Sequence, residues 1–166
     1  MPEPNPVFFA PFVSSTMRVE PAWIDYNGHL NMAFYNLLID RAVDEAFELV
    51  GLGQDYVAER NASYFTAEAH VRYVRELKVE TPVRASIQLV DFDDKRIHFF
   101  AELHHAAEGW ISATSEQLAL HVDLGSRRVT PWPDDILRRL AAMKAAHGAL
   151  PPPEAIGRRI GLKART

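Results

Sequence analysis

The chain has 166 residues, with 18 basic against 22 acidic side chains and a formal net charge of -4 with histidine neutral. Its length argues for one domain, and a composition that is 48% hydrophobic and 24% charged is that of a folded chain with a buried core, not a disordered or fibrous one. The acidic balance, with no stretch interleaving basic and aromatic residues, argues against a nucleic-acid binder. Zero cysteines exclude disulfide frameworks, thiolate metal sites and cysteine nucleophiles, and fit a cytoplasmic setting.

Residues 1–16 read as an N-terminal leader. Val7, Phe8, Phe9, Phe12 and Val13 are apolar, but Pro2, Pro4, Pro6 and Pro11 break the run. It has no basic start and no apolar stretch long enough to cross a bilayer, so it is expected to pack on the surface and to give no membrane partner. Residues 17–148 are then the domain. A short extended segment over 17–20 leads through Pro21 into a turn-rich stretch, Asp25-Tyr26-Asn27-Gly28-His29, and the periodicity predicts a long helix over 32–50. Asn31 can cap that helix and Gly51 can end it. Asn36, Asp40, Asp44 and Glu48 recur every fourth position along it, while apolar residues cover the other sides, as in a helix wrapped on most of its circumference.

After a connection through Gly53 and Asn61 the texture turns to period two, predicting hairpin-connected antiparallel strands over 63–75, 83–91, 96–105 and 110–123. A second amphipathic helix is predicted over 134–147, stopped by Gly148. Residues 149–166 form a basic tail, entered through Pro151-Pro152-Pro153 and carrying Arg158, Arg159, Lys163 and Arg165, expected to be partly disordered. One long helix followed by four long strands suggests an α+β fold in which a curved antiparallel sheet wraps a central helix.

The segment Asp25-Tyr26-Asn27-Gly28-His29-Leu30-Asn31-Met32-Ala33-Phe34-Tyr35 resembles the D-x-x-G-H-x-N signature of hotdog-fold thioesterases of the 4-hydroxybenzoyl-CoA thioesterase type. Three further segments sharpen the resemblance: Phe65-Thr66-Ala67-Glu68-Ala69-His70, Asp94-Lys95-Arg96-Ile97-His98-Phe99, and the run from Ala113-Thr114-Ser115-Glu116 to His121-Val122-Asp123. Together they look most like the betainyl-CoA thioesterases of carnitine catabolism. The resemblance implies an acyl-CoA thioester hydrolase that needs no cofactor beyond the coenzyme A of its substrate. It also implies a homodimer or tetramer with active sites between subunits. Open beside it are a thioesterase for another short or aromatic acyl-CoA, a hotdog hydratase, and a non-catalytic acyl-CoA-binding module of the same fold.

The same resemblance puts the catalytic carboxylate at Asp25, as nucleophile or as general base toward water. Taken alone, Asp25 among turn formers is as readily an Asx-turn residue. Unpaired N–H groups at the helix start, around Asn31, Met32 and Ala33, are candidate oxyanion donors, and Gly28 permits close backbone approach. His29 either orients substrate or holds the turn. Glu68 and His70 share a polar strand face that is either solvated or turned toward a neighbouring active site. Lys95, Arg96, Arg127, Arg128 and the basic tail are the cations available to coenzyme A phosphates. A quaternary ammonium acyl group is best held by aromatic faces, for which Trp23, Tyr26, Phe65 and Trp110 are candidates, with core packing as the alternative. The seven histidines show no metal-binding spacing, and no metal is expected.

Overall fold

The computed structural model describes residues 7–162. In chain order it contains β1 (Phe12–Val13), β2 (Met17–Arg18), a single 3-10 turn (Pro21–Trp23), α1 (Met32–Glu48), α2 (Gln54–Arg60), β3 (Ala62–Tyr73), β4 (Pro82–Phe92), β5 (Arg96–His105), β6 (Ile111–Asp123), β7 (Arg128–Val129) and α3 (Asp134–His147). The long strands pair antiparallel in the order β4-β5-β6-β3; β1 and β2 add to β4, and β7 to β6. No partner strand lies beyond β3 among the described residues, so its outer edge is free.

α1 lies in the concave side of this sheet because its apolar residues fall on one face. Tyr35, Leu38, Ile39, Ala42, Val43, Ala46 and Phe47 are buried, and Phe47 meets Phe99 of β5 edge-on at 5.2 Å. From the sheet, Val83, Ala85, Ile87 and Leu89 of β4 and Ile97, Phe99, Ala101 and Leu103 of β5 point into the same core. The sheet covers less of the helix than the apolar pattern suggests. Asn36, Asp40, Asp44 and Glu48 form an open flank beside the free edge of β3. The helix starts where Asn31 Oδ1 accepts the Ala33 N–H at 3.0 Å and stops at Gly51, whose φ of +89° a side chain would resist.

Three features differ from the sequence reading. α2 fills what the pattern left as a connection: seven residues between Gly53 and a left-handed Asn61 are too few to show a helical period. The described part of the leader, residues 7–16, is a working edge of the sheet. Phe8 and Phe12 are buried, Phe12 pairs with Ile87, and Ser14 exchanges hydrogen bonds with Ala85 through its N–H and its hydroxyl. The tail, through residue 162, runs back over the face of the sheet turned away from α1. There Pro151 O accepts from Gln88 Nε2 at 3.4 Å and the Gly157 N–H donates to Glu116 Oε2 at 2.7 Å. Pro2, Pro4, Pro6, Lys163 and Arg165 lie outside the described residues.

Candidate active site

The loop before α1 is pinned from both sides. Ile24 and Leu30 bridge as in a miniature hairpin, the Asp25 N–H donates to His29 O at 3.1 Å, and the Gly28 N–H donates to Asp25 O at 3.0 Å, with Gly28 at a φ of +80°. The Leu30 N–H reaches across to Leu77 O at 2.7 Å, tying the loop to the segment that follows β3. Asp25 is half-buried in this frame. Its Oδ1 accepts the Asn27 N–H at 2.8 Å, which leaves Oδ2 without a partner among the described residues.

Of the three candidate oxyanion donors, two are taken. The Asn31 N–H bonds to Trp23 O at 2.9 Å and the Ala33 N–H to the Asn31 side chain. The Met32 N–H, at the first helical position, finds no acceptor among the described residues. Asp25 and Met32 line one cavity of about 450 Å³ with Tyr26, His29, Leu30, Asn31, Tyr35, Tyr73, Val74, Arg75 and Glu76. A carboxylate oxygen and the positive end of a 17-residue helix therefore address the same space.

The second wall of this cavity was not visible in the sequence. Tyr73 closes β3 and donates its hydroxyl to Met32 O at 3.3 Å, while the Tyr35 hydroxyl accepts the Leu77 N–H at 3.3 Å. Burial holds the Tyr35 hydroxyl above its ordinary pKa. His29 turns Nδ1 to Leu30 O at 3.3 Å and Nε2 toward Glu76 at 3.9 Å, contacts that hold the loop.

The other candidates are distributed over the molecule. Trp23 is buried, stacked on Phe34 at 5.4 Å with Arg41 over its ring at 5.3 Å, whereas Tyr26 is 98% exposed. Trp110 carries Arg75 over its face. Phe65 lies near the opposite end of β3, so the four aromatics do not converge within one chain. Glu68 and His70 line a different cavity, also of about 450 Å³, with Arg96, His98, Glu116 and Arg158; His98 Nε2 lies 2.9 Å from Glu116 Oε1.

Lys95 lies in the β4–β5 turn and Arg96 opens β5, where it already donates from Nε to Asp93 Oδ2 at 2.7 Å, so its charge is paired with that of Asp93. Arg127 and Arg128 lie in and after the β6–β7 turn. Arg96 is registered opposite Leu120 and Leu120 opposite Phe65. Along β3 that is roughly 25 Å from the Tyr73 end, where Asp25 sits.

A further cavity, about 970 Å³, opens along the exposed flank of α1. It is lined by Asp40, Asp44, Glu48, Asp55, Tyr56, Tyr64, Phe65 and Thr66 among others, and among the described residues no lysine, arginine or histidine lines it. Tyr64 donates its hydroxyl to Asp44 Oδ1 at 3.3 Å, and burial together with the Asp44 charge drives the Tyr64 pKa far upward. Burial, with Asp44 beside it, raises the Asp40 carboxyl above its ordinary range.

Comparison with known proteins places the chain in a family. Over 144 residues the chain is 40% identical to the betainyl-CoA thioesterase of Pseudomonas aeruginosa, covering 87% of this chain and 91% of that one. It is 37% identical over 146 residues to the L-carnitine dehydrogenase/betainyl-CoA thioesterase of Rhizobium meliloti, covering 88% of this chain but only 29% of that longer protein. Among solved structures, a Pseudomonas putida protein described as a putative thioesterase superposes with a TM-score of 0.81 at 34% identity, covering 94% of this chain and 99% of that one. A Staphylococcus aureus protein solved in complex with CoA superposes at 0.86 with 24% identity, over 96% and 100% of the two chains, and so shares the fold. The model of the thioesterase-like superfamily matches residues 19–140, which span α1 and all four long strands, and to that family this chain belongs.

Proposed function

We propose that the protein hydrolyses an acyl-CoA thioester, with betainyl-CoA as the substrate and betaine and coenzyme A as the products, in the cytoplasm. The observation that carries this reading is the cavity that Asp25, with one carboxylate oxygen unpartnered among the described residues, shares with Met32, the first residue of α1. A thioester carbonyl seated there has its oxygen on the Met32 N–H and its carbon within reach of Asp25. Asp25 either attacks the carbon itself, forming an anhydride that a water later cleaves to release the acid and restore the carboxylate, or takes a proton from a water that attacks the carbon. The oxyanion of the tetrahedral intermediate is then held at the helix start, and the coenzyme A thiolate leaves. Gly28 and the Asx turn fix the carboxylate, so no loop has to close for it to act.

The acyl group of betainyl-CoA is a trimethylammonium, and the cavity along α1 suits it: carboxylates and the rings of Tyr64 and Phe65, without a competing cation in the lining. The free edge of β3 supplies the route. A 12-residue edge strand with Phe65 and Tyr73 exposed is an aggregation hazard unless it is paired. Antiparallel pairing of two such edges about a two-fold axis sets the Tyr73 end of one strand beside the Ser63 end of its partner. The Asp25 cavity of one subunit then faces the Asp44 flank of the other. Relatives at 37% and 40% identity named for betainyl-CoA support the assignment.

The test is release of free thiol from betainyl-CoA, acetyl-CoA and an aromatic acyl-CoA. The protein has no cysteine, so a thiol reagent reads coenzyme A alone. Betainyl-CoA is expected to turn over fastest, and Asp25→Asn to slow it by roughly 10²- to 10⁴-fold. Turnover of only another thioester would keep the reaction and discard the substrate; no turnover of any would favour a binding module.

A further inference from the structure

Arg75 lines the Asp25 cavity and, among the described residues, is the one lysine or arginine that does. Its backbone is clamped to β6: the Val74 and Arg75 N–H groups both donate to Ser112 O, at 2.8 and 3.0 Å, and the buried Ser112 hydroxyl donates to Arg75 O at 2.7 Å. Its guanidinium lies over Trp110, with Cζ 3.9 Å from the ring centroid. The indole is itself held, by Nε1 donating to Glu108 Oε2 at 2.6 Å and by His105 leaning on it at 5.0 Å. Stacking occupies a guanidinium's face and leaves its edge, where the N–H donors are, free. Among the described residues no carboxylate or carbonyl accepts from that edge. The adjacent Glu76 lies against His29 instead, 3.9 Å away. Arg96, one of the cations the sequence offered, differs on each count: Asp93 takes its Nε and Nη2 and it stands at the far end of the sheet from Asp25.

We infer that Arg75, fixed on Trp110, binds the phosphate groups of the coenzyme A moiety at the mouth of the Asp25 cavity; this rests on the thioester reading above. The protein is acidic overall, and a polyanionic substrate needs a local cation whose ordering cost is met before binding. A planar fork held by an indole is such a group, and it presents two parallel N–H donors to a phosphate. Trp110 is then a positioning residue for Arg75.

The experiment compares a CoA thioester with the pantetheine thioester of the same acyl group, which lacks every phosphate. Arg75→Ala is expected to raise KM for the CoA ester about tenfold and to leave kcat/KM on the pantetheine ester within about twofold. Trp110→Leu shifts the CoA ester in the same direction by less, and Arg75→Lys, a point charge without the fork, restores part of the loss. Equal losses on both esters, or an unchanged KM for the CoA ester, would overturn the assignment. If wild-type protein turns over neither ester, the hydrolase reading fails on its own account. Calorimetric titration with coenzyme A and with pantetheine then decides: weakening of coenzyme A alone by Arg75→Ala supports the site, and equal affinities overturn it.

Discussion

Asp25 lines the cavity and its Oδ1 accepts the Asn27 N–H, so one oxygen fills the turn role and Oδ2, without a partner among the described residues, is left for the catalytic role proposed above. The D-x-x-G-H-x-N spacing made the loop legible because most of its hydrogen bonds are local, spanning residues 23–33; the tie from the Leu30 N–H to Leu77 O is the long-range exception. Which N–H faces substrate was not legible, since that depends on Trp23 O taking the Asn31 donor. The aromatic candidates were less legible still. Neighbours in a turn point in opposite directions, which sends Trp23 inward and Tyr26 outward, and composition cannot tell them apart. At this scale the α1 flank makes a specific claim. Asp44→Asn should raise KM for betainyl-CoA about fivefold and leave 3,3-dimethylbutanoyl-CoA, its uncharged isostere, within about twofold, as read by steady-state kinetics.

Among the elements, α1 and the four long strands follow from their periods, and their ends fall within two or three residues of the predicted ones. β1, β7 and α2 are too short to carry a period, whereas β2 falls in the extended segment read over 17–20; long-range pairing creates β1, where Phe12 finds Ile87. α3 shows how such a distant contact is held. His147, buried in its last turn, accepts the Leu89 N–H on Nδ1 at 2.8 Å and donates from Nε2 to Phe9 O at 2.8 Å, joining helix, strand and N-terminal segment. Only the neutral ring can do both, and burial holds its pKa below the ordinary imidazole value. The unfolded chain therefore binds a proton that the native state refuses. The contribution is complete above about pH 6.5 and is lost as pH falls below it. Denaturant midpoints should drop by about 1 kcal/mol in stability from pH 7.5 to 5.5, and His147→Gln should flatten that dependence.

For the whole molecule, the sheet has one protected and one unprotected side. β1, β2 and α3 pack on β4, while β3 ends in solvent with Phe65 48% exposed. The proposed pairing of β3 edges predicts a particle of at least twice the 18.8 kDa chain mass by analytical ultracentrifugation. Phe65→Glu, a charge on that edge, should shift the population toward the monomer and lower activity in parallel. A fold legible from one chain's periods leaves such an assembly unseen, because the residues that would meet across it share no pattern in sequence.

That bare edge also bears on how the protein works at scarcity. If each reaction centre needs the loop of one copy and the helix flank of another, thinning the solution does more than reduce the number of catalysts. It dismantles them, and specific activity would cease to be a constant of the chain and would become a function of how much of it has been made.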